Sequence, residues 1–282
     1  MRVKMKEKDQ KLIPCSLREA QFMMLEILEE VHRICEENHI EYFLIDGTLL
    51  GAIRHGGFIP WDDDLDIGMT RENYEKFKLI AKEELKKDFF LQSIETDKGY
   101  KLYHIPLKVR KDNTIFEEFG EENEPYHRGI YIDIFPYDKL SDNEFKAFIQ
   151  KKFIGFLIKG KFKNLKEDKS LKGAIRKGIY NVLKPLSYEK LNDMAHNTLK
   201  WSKDSKRTSY NYGVELLWDN DFKESDLFPL KKIVFEGKEF WGPNNPDGVL
   251  TNIYGDYMTL PKEDERVWHA KGIYKVQGKD EN

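Results

Sequence analysis

The chain has 282 residues and a formal net charge of −3 at pH 7, and its composition is 40% hydrophobic, 13% aromatic and 34% charged. These values predict a soluble globular protein with room for a core, organised as one large domain or two small ones. Because the charge is close to neutral, it excludes nucleic-acid binding driven by a global excess of basic residues. We therefore expect no nucleic-acid partner.

The cysteine content and the lengths of the apolar runs indicate the cellular location. The two cysteines, Cys15 and Cys35, are too few for a disulfide framework and favour a reducing environment. The first residues are basic and polar and do not read as a signal peptide. The longest apolar runs are about six residues, whereas a membrane-spanning helix needs roughly 20. We expect a cytoplasmic protein.

The first predicted element is a helix that follows a charged tail over residues 1–13. Ser16 and Glu19 have the spacing of a capping box, and Asn38 is suited to end the helix. Apolar residues recur between them at helical spacing, which indicates one buried face. This stripe consists of Leu17, Ala20, Met24, Leu25, Leu28, Val31 and Cys35. We expect the helix to back a central sheet.

The most informative stretch runs from residue 41 to residue 69 and reads EYFLIDGTLLGAIRHGGFIPWDDDLDIGM. It predicts a short strand over Tyr42–Ile45 that breaks at Gly47-Thr48, followed by a small helix over Leu49–Arg54. A Gly-Gly loop then leads to a second strand over Asp64–Met69. Because side chains alternate along a strand, one face carries Leu65, Ile67 and Met69, and the other carries Asp64, Asp66 and Gly68.

Two adjacent carboxylates on one strand face indicate a cation between them. Asp64 and Asp66 would otherwise repel each other beside a core. A bare Asp-x-Asp also occurs in glycosyltransferases and calcium loops, and Asp62 and Asp63 can be read as ordinary solvated loop residues. The combination with the preceding Gly-Thr turn is more specific. Backbone N–H groups of such a turn can hold a phosphate, and the paired acids can hold the magnesium that a phosphate needs.

These residues resemble the LicD family of bacterial phosphocholine transferases, which is related to fukutin and the fukutin-related protein. The matching segments are Asp46–Ala52, Arg54–Gly56 and Ile59–Asp66. The resemblance implies a nucleotidyltransferase fold, in which a glycine-containing turn precedes Asp-x-Asp. It also implies that a later strand supplies a third carboxylate.

Asp133 is the candidate for that third carboxylate. It lies in the predicted strand RGIYIDIFP, residues 128–136, where Ile130, Ile132 and Ile134 share the opposite face. An aspartate among β-branched and aromatic residues is unfavourable for a strand and indicates a partner. That partner is either a metal, as the resemblance implies, or a neighbouring base such as Lys108 or Arg110.

Residues 151–185 differ from the rest of the chain because they contain 11 Lys or Arg against 2 Asp or Glu. The segment and the residues before it form either a basic helix pair that lies on an anionic membrane or a helical subdomain with solvated lysines. The resemblance adds weight to the membrane, because the family's acceptors are lipid-linked glycans at the inner membrane face. Each lysine there would contribute on the order of 1 kcal/mol. The apolar residues at helical spacing are Phe145, Phe148, Ile149, Phe153 and Phe156, then Leu171, Ala174, Ile175, Ile179, Val182 and Leu183.

The C-terminal third predicts a hairpin over Ile233–Trp241 and a short helix over Val249–Met258. This order is also LicD-like, although family members continue with Pro-Pro and an Arg-x-x-His-His pattern. Here the corresponding residues are Pro261-Lys262 and His269-Ala270, so the role of His269 is open, and Arg266 is a candidate substrate ligand.

A second candidate group lies at the end of that helix. Tyr254 and Asp256, with Tyr257, either hold a quaternary ammonium by cation–π contact or serve as core residues and a helix cap.

The predicted chemistry is phosphoryl transfer, which requires positioning and charge neutralisation more than covalent catalysis. Asp64, Asp66 and Asp133 would hold one or two Mg²⁺ ions, two being typically about 3.5–4 Å apart. Asp133 could also act as the base.

Four further residues are predicted to bind the substrate. Gly47 and Thr48 would contact phosphate, and Arg54 would offset charge on the leaving group. His55 either assists or merely caps the short helix.

The resemblance implies that phosphocholine, or a related phospho-alcohol, moves from a CDP-alcohol such as CDP-choline to a glycan precursor of teichoic acid or lipopolysaccharide, with release of CMP. Two alternatives remain open at this point. One is a nucleotidyltransferase that consumes a nucleoside triphosphate, and the other is a non-catalytic protein that binds glycan lipids.

The predicted fold is α+β, with a nucleotidyltransferase-like mixed sheet flanked by helices and interrupted by a helical insertion. We expect a catalytic core over residues 15–140, a basic helical insertion over 141–205, and a closing α+β segment over 206–282.

Overall fold

The computed structural model describes residues 11–100, 106–119, 124–153, 185–216 and 218–277, together with positions 175, 177, 178 and 180–182. Both helices and strands occur in these ranges. The helices are α1 (Leu17–Glu37), α2 (Asp46–His55), α3 (Arg71–Glu84), α4 (Glu144–Phe148, continued by a π-helical turn over Ile149–Phe153), α5 (Tyr188–Leu199), α6 (Glu224–Leu227) and α7 (Pro246–Tyr254). A 3₁₀ turn covers Glu263–Glu265.

The strands form three sheets. Their bounds are β1 (Lys11–Pro14), β2 (Phe43–Leu44), β3 (Asp66–Thr70), β4 (Phe89–Gln92), β5 (Lys108–Lys111), β6 (Thr114–Glu118), β7 (Tyr131–Asp138), β8 (Ser209–Tyr212), β9 (Asp221–Lys223), β10 (Lys231–Phe235), β11 (Lys238–Gly242) and β12 (Ala270–Gln277). The central sheet has the order β2-β3-β7-β5-β4, and β8 and β9 extend it from β7. A second sheet has the order β1-β12-β6, and β10 and β11 form a hairpin.

Within the central sheet, β3 and β7 are parallel, and the other pairs are antiparallel. Helix α3 contacts both of these strands and α1 contacts β7, and the core holds the fully buried Ile67 and Ile134. The opposite face of the same strands carries Asp66 and Asp133. This mixed sheet flanked by helices confirms the predicted fold class.

Helix α1 begins and ends where its sequence predicts. Ser16 and Glu19 form both hydrogen bonds of the capping box, and Asn38 is the C-cap residue. The predicted hairpin is also present as β10 and β11, with Gly237 in the left-handed region. These elements depend on local signals that a sequence displays directly.

Other boundaries differ from the predictions. The second strand of the central stretch begins at Asp66, so Asp64 lies in the preceding loop. Helix α2 already includes Gly47 and Thr48, which were predicted to form a turn. Strand β1 lies partly within the predicted charged tail and is held by pairing with β12, a partner about 260 residues away that four local residues cannot indicate.

The proposed division into three segments is untested. Strands β8 and β9 from the third segment join the central sheet, and β12 joins β6. Much of the basic segment, residues 154–174 in particular, lies outside the described residues. In the part of the chain that is described, no helix is both long and apolar enough to cross a bilayer.

A buried ionic cluster lies at the C-terminal end of β7. Arg71, at the start of α3, donates to Asp138 at 2.9 and 2.7 Å and to Glu215 at 2.9 and 2.7 Å. His196 of α5 lies 3.4 Å from Glu215. Burial disfavours the charged imidazole, but the Glu215 carboxylate outweighs it and raises the pKa of His196 above its ordinary value. The cluster therefore ties α3, β7 and α5 together.

This cluster predicts a pH-dependent stability. Because the pKa of His196 is higher in the folded state, its contribution is present below the unfolded pKa near 6.5 and is lost as the pH rises through the folded value. We expect His196→Gln to lower the free energy of unfolding by roughly 1 kcal/mol at pH 6 and by less at pH 8.5. Urea denaturation at both pH values measures this. An equal loss at the two pH values would contradict the ionic role.

Candidate active site

Two carboxylates meet where the parallel strands begin. Asp66, the first residue of β3, pairs in register with Asp133 of β7. Their side chains therefore project side by side from one face, opposite Ile67 and Ile134. Hydrogen bonds hold the backbone of both residues. The Asp66 N–H donates to Thr48 Oγ1 at 2.7 Å, and the Asp133 N–H donates to the Leu65 carbonyl at 2.8 Å.

Burial and mutual repulsion act on these acids together with Asp64. Burial raises the pKa of Asp66 well above its ordinary value, and the neighbouring carboxylates of Asp64, Asp46, Asp133 and Asp62 raise it further. Burial also raises the pKa of Asp64, where charged His269 opposes the shift, and the pKa of Asp133, where Lys108 opposes it. The site thus concentrates negative charge that a cation would stabilise.

Lys108 is the base that lies beside Asp133. Its Nζ lies 2.7 Å from Asp133 Oδ1, and it also lies 3.5 Å from the centroid of the Tyr131 ring. The alternative in which Asp133 pairs with Lys108 is therefore present in the structure, together with the contact between Asp133 and Asp66. A carboxylate has about four lone-pair sites on its two oxygens, so Asp133 retains ligand capacity in addition to this ion pair.

The donor set fits a hard divalent cation. Clustered carboxylates are the oxygen ligands that Mg²⁺ and Ca²⁺ prefer, and Asp66 and Asp133 present two of them side by side on one sheet face. Among the described residues, no three His, Cys, Asp or Glu side chains are arranged so that they could hold a metal ion without moving. The fit therefore depends on the chemistry of these acids, and the assignment of Asp64, Asp66 and Asp133 as metal ligands stays a prediction.

Asp62 and Asp63 are not solvated loop residues, which corrects the simpler of the two readings considered from sequence. Asp63 is fully buried and accepts from the backbone N–H groups of His269 and Ala270 at 2.9 and 2.7 Å. Burial and the adjacent Asp64 raise the pKa of Asp62 to about 8. The run of three aspartates after Trp61 was the available signal, but their different environments arise only from long-range packing.

His269 closes the site from the C-terminal segment. Its Nδ1 lies 2.8 Å from Asp63 Oδ1 and 3.8 Å from Asp64 Oδ2. The hydrogen bond with Asp63 raises the pKa of His269 to about 9, although burial opposes it. The imidazole is therefore positively charged near neutral pH and lies next to the acidic cluster. The sequence left the role of His269 open, and the structure places it at the site.

Gly47 lies against the acidic loop at the start of α2. A Cβ atom at this position would lie 2.8 Å from Asp62 Oδ2 and 3.9 Å from Asp64 Oδ1. Glycine at this position therefore allows the Asp62 carboxylate to pack directly against the start of α2. Thr48 is buried and its hydroxyl is already used to position Asp66, so a phosphate contact of Thr48 would involve its backbone.

Asp46 is a site residue to which sequence reasoning gave no role. It accepts from the Tyr212 hydroxyl at 2.6 Å and has a positive φ of 50°, which is uncommon for a residue other than glycine. Burial raises the pKa of Asp46 to about 6, and Asp64 contributes to this shift while the bond from Tyr212 opposes it. Its place before Gly47 in the matching motif was the available signal.

Arg54 and Tyr254 border the cluster on the side of α7. Arg54 donates to the Tyr257 carbonyl at 2.7 Å and to His55 Nε2 at 3.0 Å, so it joins α2 to the end of α7. Tyr254 is half-exposed, and burial together with the charges of Asp46 and Asp66 raises its pKa. His55 is exposed and packs edge-on against Trp61.

The two remaining candidates lie further out. The guanidinium of Arg266 lies 4.1 Å from the centroid of the Trp61 ring, and its Nε is buried without a hydrogen-bond partner among the described residues. Asp256 accepts from the Thr259 hydroxyl at 2.7 Å in an exposed turn, which supports the reading as a local cap. No contact recorded for the described residues brings Asp256 to the carboxylates. Both substrate roles stay predictions.

Comparison with known proteins identifies the family. Residues 39–166 match the family described as "LicD/FKTN/FKRP, nucleotidyltransferase domain". The chain is 30% identical over 272 residues to the lipopolysaccharide cholinephosphotransferase LicD of Haemophilus influenzae, which covers 92% of this chain and 98% of the relative. It is 33% identical over 139 residues to an uncharacterized protein of Rickettsia typhi, covering 49% and 42% of the two chains.

A shorter match extends to mammals. The chain is 42% identical over 60 residues to the human ribitol 5-phosphate transferase FKRP, which is 21% of this chain and 11% of that protein. The near-complete match with the Haemophilus relative and the acid-lined nucleotidyltransferase-like sheet together confirm the resemblance first seen in residues 46–66. The chain belongs to the LicD family.

Proposed function

We propose that this protein is a Mg²⁺-dependent phosphotransferase. It moves phosphocholine, or a related phospho-alcohol, from a CDP-alcohol to a hydroxyl group of a cell-surface glycan precursor and releases CMP. Two relatives support the reaction class, since their names describe the transfer of phosphocholine and of ribitol 5-phosphate. Among the donors, CDP-choline is favoured by the relative that matches the full chain.

The single observation that carries the proposal is the register of Asp66 with Asp133, with Asp64 beside them. Buried carboxylates placed this close together repel one another, so their position at one point of the sheet indicates a cationic ligand. A non-catalytic binding protein does not need them. Bound Mg²⁺ would neutralise the donor's diphosphate and favour attack by the acceptor oxygen.

The chain's own residues supply the remaining functions. Glycine at position 47 leaves no side chain between the start of α2 and the acids Asp62 and Asp64, and the backbone N–H groups of that first turn are available to a phosphate. Arg54 and charged His269 place positive charge near the acids and can offset charge on the leaving CMP. Asp133, held next to Lys108, is the candidate to accept the proton of the acceptor hydroxyl.

The acceptor we propose is a lipid-linked precursor of teichoic acid or lipopolysaccharide at the cytoplasmic face of the membrane. The excess of basic residues over 151–185 supports peripheral contact with an anionic surface. The described start of this segment contains Lys151, which pairs with Asp219 at 2.8 Å and Asp221 at 2.7 Å.

One prediction from the proposed function concerns Asp66. We expect Asp66→Asn to reduce CMP release by at least about 100-fold, because removing one carboxylate weakens metal binding and charge neutralisation together. The assay supplies CDP-choline, CDP-ethanolamine, CDP-ribitol or CDP-glycerol with Mg²⁺ and membrane extract. The matched control is Asp142→Asn, which changes an exposed aspartate that accepts from Ser205 and Lys206.

Each outcome of that assay is informative. Release from one CDP-alcohol that depends on Asp66 supports the proposal and identifies the donor. If no CDP-alcohol yields CMP and the protein instead releases pyrophosphate from CTP or ATP, the reaction is nucleotidyl transfer. Binding of glycan lipid without turnover, unchanged by Asp66→Asn, would support the non-catalytic alternative.

A further prediction from the proposed function concerns the close approach of Asp62 to Gly47. Because an added methyl group would approach Asp62 Oδ2, we expect Gly47→Ala to lower kcat/KM by about tenfold or more while the melting temperature changes little, since alanine favours helices. Gly51→Ala in the same helix provides a contrast. Its Cβ would lie 2.4 Å from the Gly57 carbonyl, so it should lower the melting temperature. Full activity in Gly47→Ala would remove this residue from the phosphate site.

A further inference from the structure

Trp218 is an aromatic residue with no role in the site described above. Its side chain is 48% exposed, although the residue packs against two buried aromatic rings. The ring centroids of Phe135 and Tyr212 lie 5.6 and 5.9 Å from that of Trp218. One part of the indole is thus packed and the rest is open, as in a platform for a ligand.

This platform lies next to the acidic cluster. Phe135 follows Asp133 by two residues on β7, so the two side chains share the same face of the sheet. Tyr212, the other ring beneath Trp218, donates its hydroxyl to Asp46 at 2.6 Å. The indole is therefore one side chain away from Asp133 on one side and from Asp46 on the other.

The residues that follow Trp218 contact two other parts of the chain. Lys151 pairs with Asp219 and Asp221, and Asn252 of α7 donates to the Asp221 carbonyl at 2.8 Å. Asn220 donates in return to the Asn252 carbonyl at 3.4 Å. Helix α7 ends at Tyr254, a second half-exposed aromatic residue, which lies near the acids. The contacts of Asn252 therefore connect the loop of Trp218 to the helix that carries Tyr254. The aromatic surface is held in place before any ligand binds.

We propose that Trp218 forms the subsite for the cationic head group of the transferred phospho-alcohol, a quaternary ammonium such as that of choline. A quaternary ammonium has no N–H donor, so a protein recognises it with aromatic faces and surrounding negative charge. Trp218 provides the face, and Asp46, which is not among the proposed metal ligands, provides nearby charge. A polyol such as ribitol would instead require hydrogen-bonding groups. This inference rests on the proposed function.

The test compares three ligands on the wild-type protein and on Trp218→Leu. The first is CDP-choline. The second is its uncharged isostere, in which a carbon atom replaces the nitrogen (CDP-3,3-dimethylbutanol). The third is CMP, which lacks the head group. Dissociation constants are measured by calorimetry with Mg²⁺ present. Trp201→Leu is the matched control, because Trp201 lies in the turn that follows α5, near Lys146 of α4.

We expect Trp218→Leu to weaken CDP-choline binding by about tenfold, the order of a desolvated cation–π contact, and to abolish its advantage over the isostere. CMP binding should change by less than about twofold. Trp218→Phe, which retains a smaller aromatic face, should keep part of the preference. Melting curves establish that the variants are folded, and Trp218→Phe provides the comparison if the leucine variant is unstable.

Other results overturn the inference. An equal loss for CDP-choline and CMP would show that Trp218 stacks on the cytosine base, and an equal loss for CDP-choline and its isostere would show an apolar contact without selection of charge. These outcomes are independent of catalysis. Transfer activity with an unchanged binding preference in Trp218→Leu would leave the proposed function intact. A Trp218-dependent preference without transfer would support the subsite and refute the function.

Discussion

The site depends on one constraint, the parallel register of β3 and β7 that sets Asp66 beside Asp133. A shift of one residue would move either carboxylate to the opposite face, into the layer where Ile67 and Ile134 are fully buried. The register is therefore specified by the apolar face of the same strands. Thr48 reinforces it by accepting from the Asp66 N–H, so the start of α2 and the start of β3 are fixed relative to each other.

The acidic loop before β3 is completed from the other end of the chain. Asp63 accepts from the backbone at His269 and Ala270, where β12 begins, and β12 pairs with both β1 and β6. The charge of His269 is a consequence of this contact, because the Asp63 carboxylate favours the protonated ring. One buried aspartate thus has two effects, since it anchors the C-terminal strand and places a cation next to Asp64.

A second connection runs from the basic segment to the aromatic side of the site. Lys151 pairs with the acids that follow Trp218, and Asn252 and Asn220 join the same loop to α7. The residues that surround the carboxylates thus come from four parts of the chain.

The sequence by itself determined the parts of this protein that depend on local pattern. Period-two alternation put Asp66 and Asp133 opposite apolar faces, and capping residues set the ends of α1. The family motif indicated the fold and reaction class. Sequence reasoning could not separate the buried Asp63 from the site-facing Asp62, place His269, or find Asp46 and Trp218, because each depends on a partner more than 70 residues away. Tertiary structure decided these roles, since burial and charge pairing are properties of the assembled neighbourhood and not of the local sequence.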